Sequence, residues 1–231
     1  MEGAMNIVNQ KHWYKSWWGV ALLTLLILVG ALFFASVFYV ADQVRAIQAG
    51  QHASFSLSDT TVYQNTEGEG NFWLGSNQPK ITIVEFADFA CPYSKSSFPK
   101  IRELADKYRD RVKFIYRDFP YIAAESIDLA MAARCAGEQG LFWKMHDKLY
   151  ELQGIKTADE LTGAAQSIGA DSAAFRLCLE GKKYSALIKK NILEANKFDI
   201  QGTPTWFING RKVAGDLPAT AWEEIIKKFS K

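Results

Sequence analysis

One cysteine, Cys91, stands where an apolar strand-like run, ITIVEF at 81–86, gives way to a helical pattern, and Pro92, Tyr93 and Ser94 follow it. A residue between a strand end and a helix's first turn faces unpaired backbone N–H groups and the positive end of the helix dipole. Both favour thiolate over thiol, and thiolate is the nucleophile of thiol–disulfide exchange. Pro92 suits the first helical position, where its φ is preset and its missing N–H would be unpaired anyway. This setting makes Cys91 a candidate nucleophile rather than a small apolar filler, the other common use of a free cysteine. Ser94, three residues on, limits the chemistry. Cys91 alone can attack a disulfide, or be held as a sulfenic acid or mixed disulfide, but a thiol from elsewhere must then release it. That thiol is the substrate's other cysteine, a small thiol or a membrane redox partner. The Ser94 hydroxyl is placed either to donate to the Cys91 thiolate or to act only as a first-turn helix residue.

Glu85 ends the apolar run six residues before Cys91. A carboxylate buried near a thiol is held protonated by desolvation and can relay a proton. The alternative is a structural or solvated carboxylate. Asp88 is expected to be exposed and to cap the turn. His146 reads as a core or edge histidine rather than a base. With three cysteines, the simplest arithmetic is one pair and one free thiol, so Cys135 and Cys178 are expected to form a structural disulfide; two separate buried thiols are the alternative. The chain has no CxxC, and His12, His52 and His146 are scattered, so neither a metal nor another cofactor is expected. A net charge of +2 gives no single-sign field of the kind that holds nucleic acid.

The elements that must position these groups follow from periodicity. ITIVEF suits a central strand. Phe98, Ile101, Leu104 and Tyr108 recur at helical spacing, which predicts an amphipathic helix over 94–109. VKFIYRDF at 112–119 is a second strand, stopped by Pro120, and the strand–helix–strand order implies a right-handed crossover and a parallel pair. Helical stretches follow at roughly 124–152, 157–168 and 171–198, broken at Gly154 and Gly169. TWFINGRKV then returns to strand, with Asn209-Gly210 as a type I′ hairpin turn. Trp222, Ile225, Ile226 and Phe229 close the chain in a helix, with Thr220 and Glu223 spaced as a capping box.

The N-terminal part differs in kind. From Trp17 to Val40 there is no charged residue, and as a helix this run would be about 36 Å long, enough to cross a bilayer. Trp13, Tyr14, Trp17 and Trp18 at one end and Tyr39 at the other suit interfacial belts. The run exceeds the ~7–15 apolar residues of a cleaved signal, and no A-x-A site follows. The reading is a single-pass signal anchor at 17–40 in the lipid bilayer. Lys11 and Lys15 precede the span, and Arg45 is the one Lys or Arg between Val40 and Lys80, so residues 1–16 are placed in the cytoplasm and the rest outside. Residues 41–72 form a polar extracytoplasmic tether, and 73–231 a folded domain.

At this point separated motifs agree. CPYS at 91–94 directly follows EFADF, Gly202-Thr203-Pro204 precedes a strand, and YRDFP (116–120) and AARCAGEQGLFWKMHDKLY (132–150) lie between them. The domain resembles the membrane-anchored bacterial branch of the DsbA-like thioredoxin-fold family, with CPYS in place of CPxC. The resemblance implies an α/β thioredoxin-like fold of βαβ and ββα halves with a helical insertion at about 121–200, preceded by one transmembrane helix. It implies a cis Thr203–Pro204 bond facing Cys91, substrate contacts from Pro92, Tyr93, Thr203 and Pro204, and a buried acid at Glu85. It also implies extracytoplasmic cysteine-containing proteins or peptides as substrates. Three function classes fit: a monothiol exchange protein, a peptide-binding or chaperone-like module, and an engineered Cys-to-Ser trapping variant.

Overall fold

The computed structural model describes residues 17–51 and 61–229. They belong to two units divided between Phe55 and Ser56. The expectations for residues 1–16, including His12, and for His52 lie outside the described residues.

In the first unit a single helix, α1, runs over Trp17–Gln51. Its Val20–Ala41 portion is long and apolar enough to cross a membrane, with mean hydropathy 2.7. The helix does not stop where the polar segment was expected to begin. It continues through ADQVRAIQAGQ, a run rich in alanine, glutamine and other residues that lose little on entering a helix.

The second unit is built on a five-stranded sheet of order β1-β3-β2-β4-β5. Its strands are β1 (Phe72–Gly75), β2 (Ile81–Ala87), β3 (Val112–Asp118), β4 (Thr205–Ile208) and β5 (Arg211–Ala214). β2 and β3 are parallel, as the crossover through α2 (Pro92–Lys107) requires, and the other three pairings are antiparallel. Asn209 and Gly210 both take positive φ in the β4–β5 turn, as a type I′ hairpin demands. The edge strand β1 lay in no expected element; it is four residues long and carries no alternation to read.

Between β3 and β4 stand α3 (Ser126–Gly137), α4 (Phe142–Glu151), α5 (Ala158–Ser167), α6 (Ser172–Glu180) and α7 (Ser185–Lys197). Their apolar faces close on Phe89 and Tyr116 to form one core, while Val84, Phe86, Ile115 and Phe207 meet Ala195 and Ile200 in another. Cys135 of α3 and Cys178 of α6 are joined by a disulfide. The closing helix α8 (Ala219–Phe229) buries Trp222 edge-on against Trp206. Thr220 lies inside α8 rather than before it, so it is not placed to cap. The capping box belongs instead to Thr157 and Glu160 at the start of α5.

The last residues assigned to the tether are part of this unit. The Thr66 carbonyl accepts from Arg117 Nη1 at 2.8 Å, and Arg134 donates to Gly70 O and Asn71 Oδ1. Arg117 also pairs with Glu194 and Asn191, and Arg134 with Asp118, all around fully buried guanidinium groups. Polar composition made 62–71 read as a lead-in. The polar atoms are there because they satisfy two arginines buried under the chain.

Candidate active site

β2 ends at Ala87 and α2 begins at Pro92, so the intervening turn fixes Cys91. Its backbone N–H donates to Asp88 O at 3.0 Å, and its carbonyl accepts the first helical bond, from Lys95 N. Cys91 is the N-cap of α2 in extended conformation, with Pro92 at the first helical position. The thiol is therefore held at the positive end of the helix dipole. It makes no capping bond. It donates across the fold to Thr203 O, with Sγ 3.1 Å from the oxygen.

Thr203–Pro204 is a cis peptide, and both residues are buried beside Cys91 at the entry to β4. Pro92 and Tyr93 are exposed on the first turn of α2, Tyr93 by 65%. Cys91 itself is only 1% exposed. As a thiol it can donate to the Thr203 carbonyl; as a thiolate it cannot, and the two electron-rich atoms repel.

Ser94 lies one turn into α2, wholly buried, and among the described residues no partner of regular hydrogen-bond geometry reaches its hydroxyl. The bond from Ser94 to Cys91 offered by spacing is not made. Ser94 instead lies near the Tyr150 hydroxyl of α4, which also lacks a partner of regular geometry. Glu85 is buried at 1% exposure, in register with Tyr116 on one side and Trp206 on the other. Burial above all, then the negative charges available at Cys91 and Asp216, pushes its carboxyl well above the ordinary carboxylate range. Its Oε1 has no hydrogen-bond partner among the described residues. Burial likewise pushes the Tyr116 and Tyr150 hydroxyls up, so this layer stays uncharged.

Asp88 corrects an expectation. It is 1% exposed, not a solvated cap. Its Oδ1 accepts from Ala90 N, and its Oδ2 accepts from both Tyr121 N and Ile122 N at 2.8 Å. A short carboxylate after a strand reads as a turn cap by sequence alone; the second set of donors comes from beyond β3. His146 is buried among Phe89, Tyr116, Trp143 and Tyr150, and burial lowers its pKa, so it is a core residue. Cys135 and Cys178 lie away in the helical insertion. A cleft of about 660 Å³ lined by Tyr63, Glu67, Lys190 and Glu194 contains none of the site residues.

A family model described as Thioredoxin matches residues 67–228. Among curated proteins, the Na(+)/H(+) antiporter NhaA 1 of Salinispora arenicola is 34% identical over 143 residues, which are 61% of this chain and 22% of that protein. An antiporter NhaA 3 of Salinispora tropica matches to the same extent. The chain thus spans about a fifth of the length of these relatives. Among solved structures, BdbD of Bacillus subtilis is 26% identical with a TM-score of 0.61, covering 70% of this chain and 94% of that one. A periplasmic thioredoxin-like protein of Salmonella enterica is 25% identical with a TM-score of 0.59, covering 73% and 92%. A thioredoxin-like oxidoreductase of Silicibacter pomeroyi superposes with a TM-score of 0.64 at 24% identity, covering 71% and 94%.

Proposed function

Because the chain belongs to the thioredoxin family, we propose that it is a membrane-anchored, extracytoplasmic thiol–disulfide exchange protein that works through one cysteine. The observation that carries this reading is the Cys91 sulfur at the N-terminus of α2, 3.1 Å from the Thr203 carbonyl that precedes Pro204. The DsbA-like fold supports exchange as the class of chemistry, and the candidate membrane helix at Val20–Ala41 supports anchoring.

The step balances without an outside oxidant. The Cys91 thiolate attacks one sulfur of a substrate disulfide. That S–S bond breaks, a new one forms to Cys91, and the other substrate sulfur leaves as a thiolate that takes up a proton. A second thiolate then attacks the mixed disulfide and frees Cys91. Ser94 cannot do this, so the second thiolate belongs to the substrate, a small thiol or a membrane partner. Glu85, held neutral, adds no negative charge beneath the Cys91 thiolate and is a proton donor in its resting state. Backbone groups of Thr203 pair with an extended peptide laid beside Cys91, with Pro92, Tyr93 and Pro204 lining its path. Cysteine-containing proteins outside the cytoplasm are the substrates, with the N-terminus inside and residues 61–229 outside.

The test is incubation of full-length protein with a peptide disulfide, quenched by acid and resolved by intact mass without reductant. A peptide adduct confined to Cys91, absent from Cys91→Ala and released by added thiol, is expected. A chain that forms no adduct leaves a peptide-binding module as the function. Carbonate extraction of membranes tests the anchor: full-length protein in the supernatant removes it.

A further inference from the structure

We propose that Asp88 is a positioning residue that fastens the segment 121–122 to the Cys91 turn, building the rim on which the peptide flanking a substrate cysteine rests. The inference rests on the exchange reading above and names the surface that selects its substrates.

Asp88 serves two elements at once. Through its main-chain oxygen and Oδ1 it holds Cys91 N and Ala90 N; through Oδ2 it holds Tyr121 N and Ile122 N, 33 and 34 residues away. A buried carboxylate is costly unless its oxygens are well bonded, and charge-assisted bonds to N–H groups are the strong kind. All three side-chain bonds of Asp88 go to backbone, so its geometry sets main-chain positions rather than neutralising a charge. With their N–H groups tied inward, Tyr121 and Ile122 remain 48% and 44% exposed. Tyr121 also borders the Thr203 loop: a Cβ placed on Gly202 would meet its Oη at 3.5 Å. The apolar rim is therefore continuous with the Cys91–Thr203 site, and a peptide paired with Thr203 passes over it. The occupant this rim fits is an extended peptide carrying an apolar side chain next to the cysteine it brings to Cys91. Polar flanking residues gain nothing there.

The experiment compares second-order rate constants for mixed-disulfide formation in full-length protein in detergent. The probes are hydroxyethyl disulfide, which is too small to reach the rim, and two peptide disulfides with leucine or serine beside each cysteine. The native chain is expected to prefer the leucine peptide. In Asp88→Asn, the ratio of the leucine-peptide rate to the hydroxyethyl disulfide rate falls about tenfold, the effect of one well-buried apolar contact. The exposed pair Tyr121→Ser, Ile122→Ser lowers the same ratio equally and holds the test open where Asp88→Asn does not fold. An Asp88→Asn ratio equal to native overturns the proposal, because a purely structural role slows both reactions alike. So does a native chain that treats the two peptides equally. A native chain that reacts with no disulfide at all overturns the exchange reading together with the rim; failure of the rim alone leaves the hydroxyethyl disulfide reaction intact.

Discussion

The Cys91 sulfur and the Thr203 carbonyl oxygen, from residues 112 positions apart, lie 3.1 Å from each other. One belongs to the helix that follows β2 and the other to the loop that enters β4, and the antiparallel pairing of those two strands brings them together. The contact places the site at a seam between β2 and β4. A seam suits a substrate that arrives as an extended chain, since it offers backbone groups along its length and one reactive atom.

Glu85 gives the site a pH signature. Its carboxyl is raised by burial, so the native state binds its proton more tightly than the unfolded state does. Below its ordinary value of 4.5 both states are protonated and nothing is lost. As pH rises above that value the unfolded chain ionises first, and the native state is destabilised until it ionises too. Glu85→Gln removes this penalty. Thermal melts of the variant and the native chain should coincide near pH 4, and the variant should melt higher at neutral pH. A native chain that is the more stable at neutral pH would mean that an ionised Glu85 finds a partner.

Arg134 and Asp118 are both wholly buried, with Arg134 Nε 2.6 Å from Asp118 Oδ2. Breaking such a pair from one side strands the other charge, at a cost of about 3–5 kcal/mol. Arg134→Ala should lower the urea midpoint correspondingly at pH 7, without a change in the native circular dichroism. Its loss also unties Gly70 and Asn71, so proteolysis near residue 70 should quicken.

How much of this could be read from the chain differs by link. The strands at 81 and 112, the helix after Cys91 and the Asn209-Gly210 turn were legible because apolar period and turn chemistry are local. The juxtaposition of Cys91, Thr203 and Glu85 came from a resemblance, since no local pattern joins residues so far apart. What stayed hidden is polar burial. Asp88, Arg117 and Arg134 sit in or beside apolar runs, and their burial depends on acceptors and donors brought by 66–71, 121–122 and Asn191. Residue type alone places a charged group outside. The edge strand β1 was missed for a different reason: four residues ending in glycine give too short a pattern.

The bond between Cys135 and Cys178 spans 43 residues, from α3 to α6. On the chain-entropy account, closing such a loop stabilises by about 4 kcal/mol. Replacing both by serine should lower stability by that order while leaving the mixed-disulfide reaction at Cys91 in place. Peptide mapping without reductant should recover the two linked, and Cys91 alone should take up an alkylating agent in the unfolded, unreduced chain. Alkylation of all three would remove the disulfide.

Ser94 is where the proposed mechanism stands or falls. It lies one helical turn beyond Cys91 on the buried side of α2, with its hydroxyl near that of Tyr150. Residues at this spacing are neighbours on a helix and within reach of a disulfide. Ser94→Cys should therefore close on Cys91, giving a chain two mass units lighter than its dithiol form and a centre that can carry two oxidising equivalents. Such a variant oxidises a reduced dithiol peptide with repeated turnover when supplied with a disulfide reoxidant, at least about tenfold faster than the native chain, whose Cys91 adduct must wait in each cycle for a thiol from outside the chain. Cys91→Ala in either background removes both behaviours. If Ser94→Cys forms the internal disulfide yet adds no turnover, the missing thiol is not what limits this chain; if Cys91 also forms no adduct in the native chain, the peptide groove rather than exchange is its function.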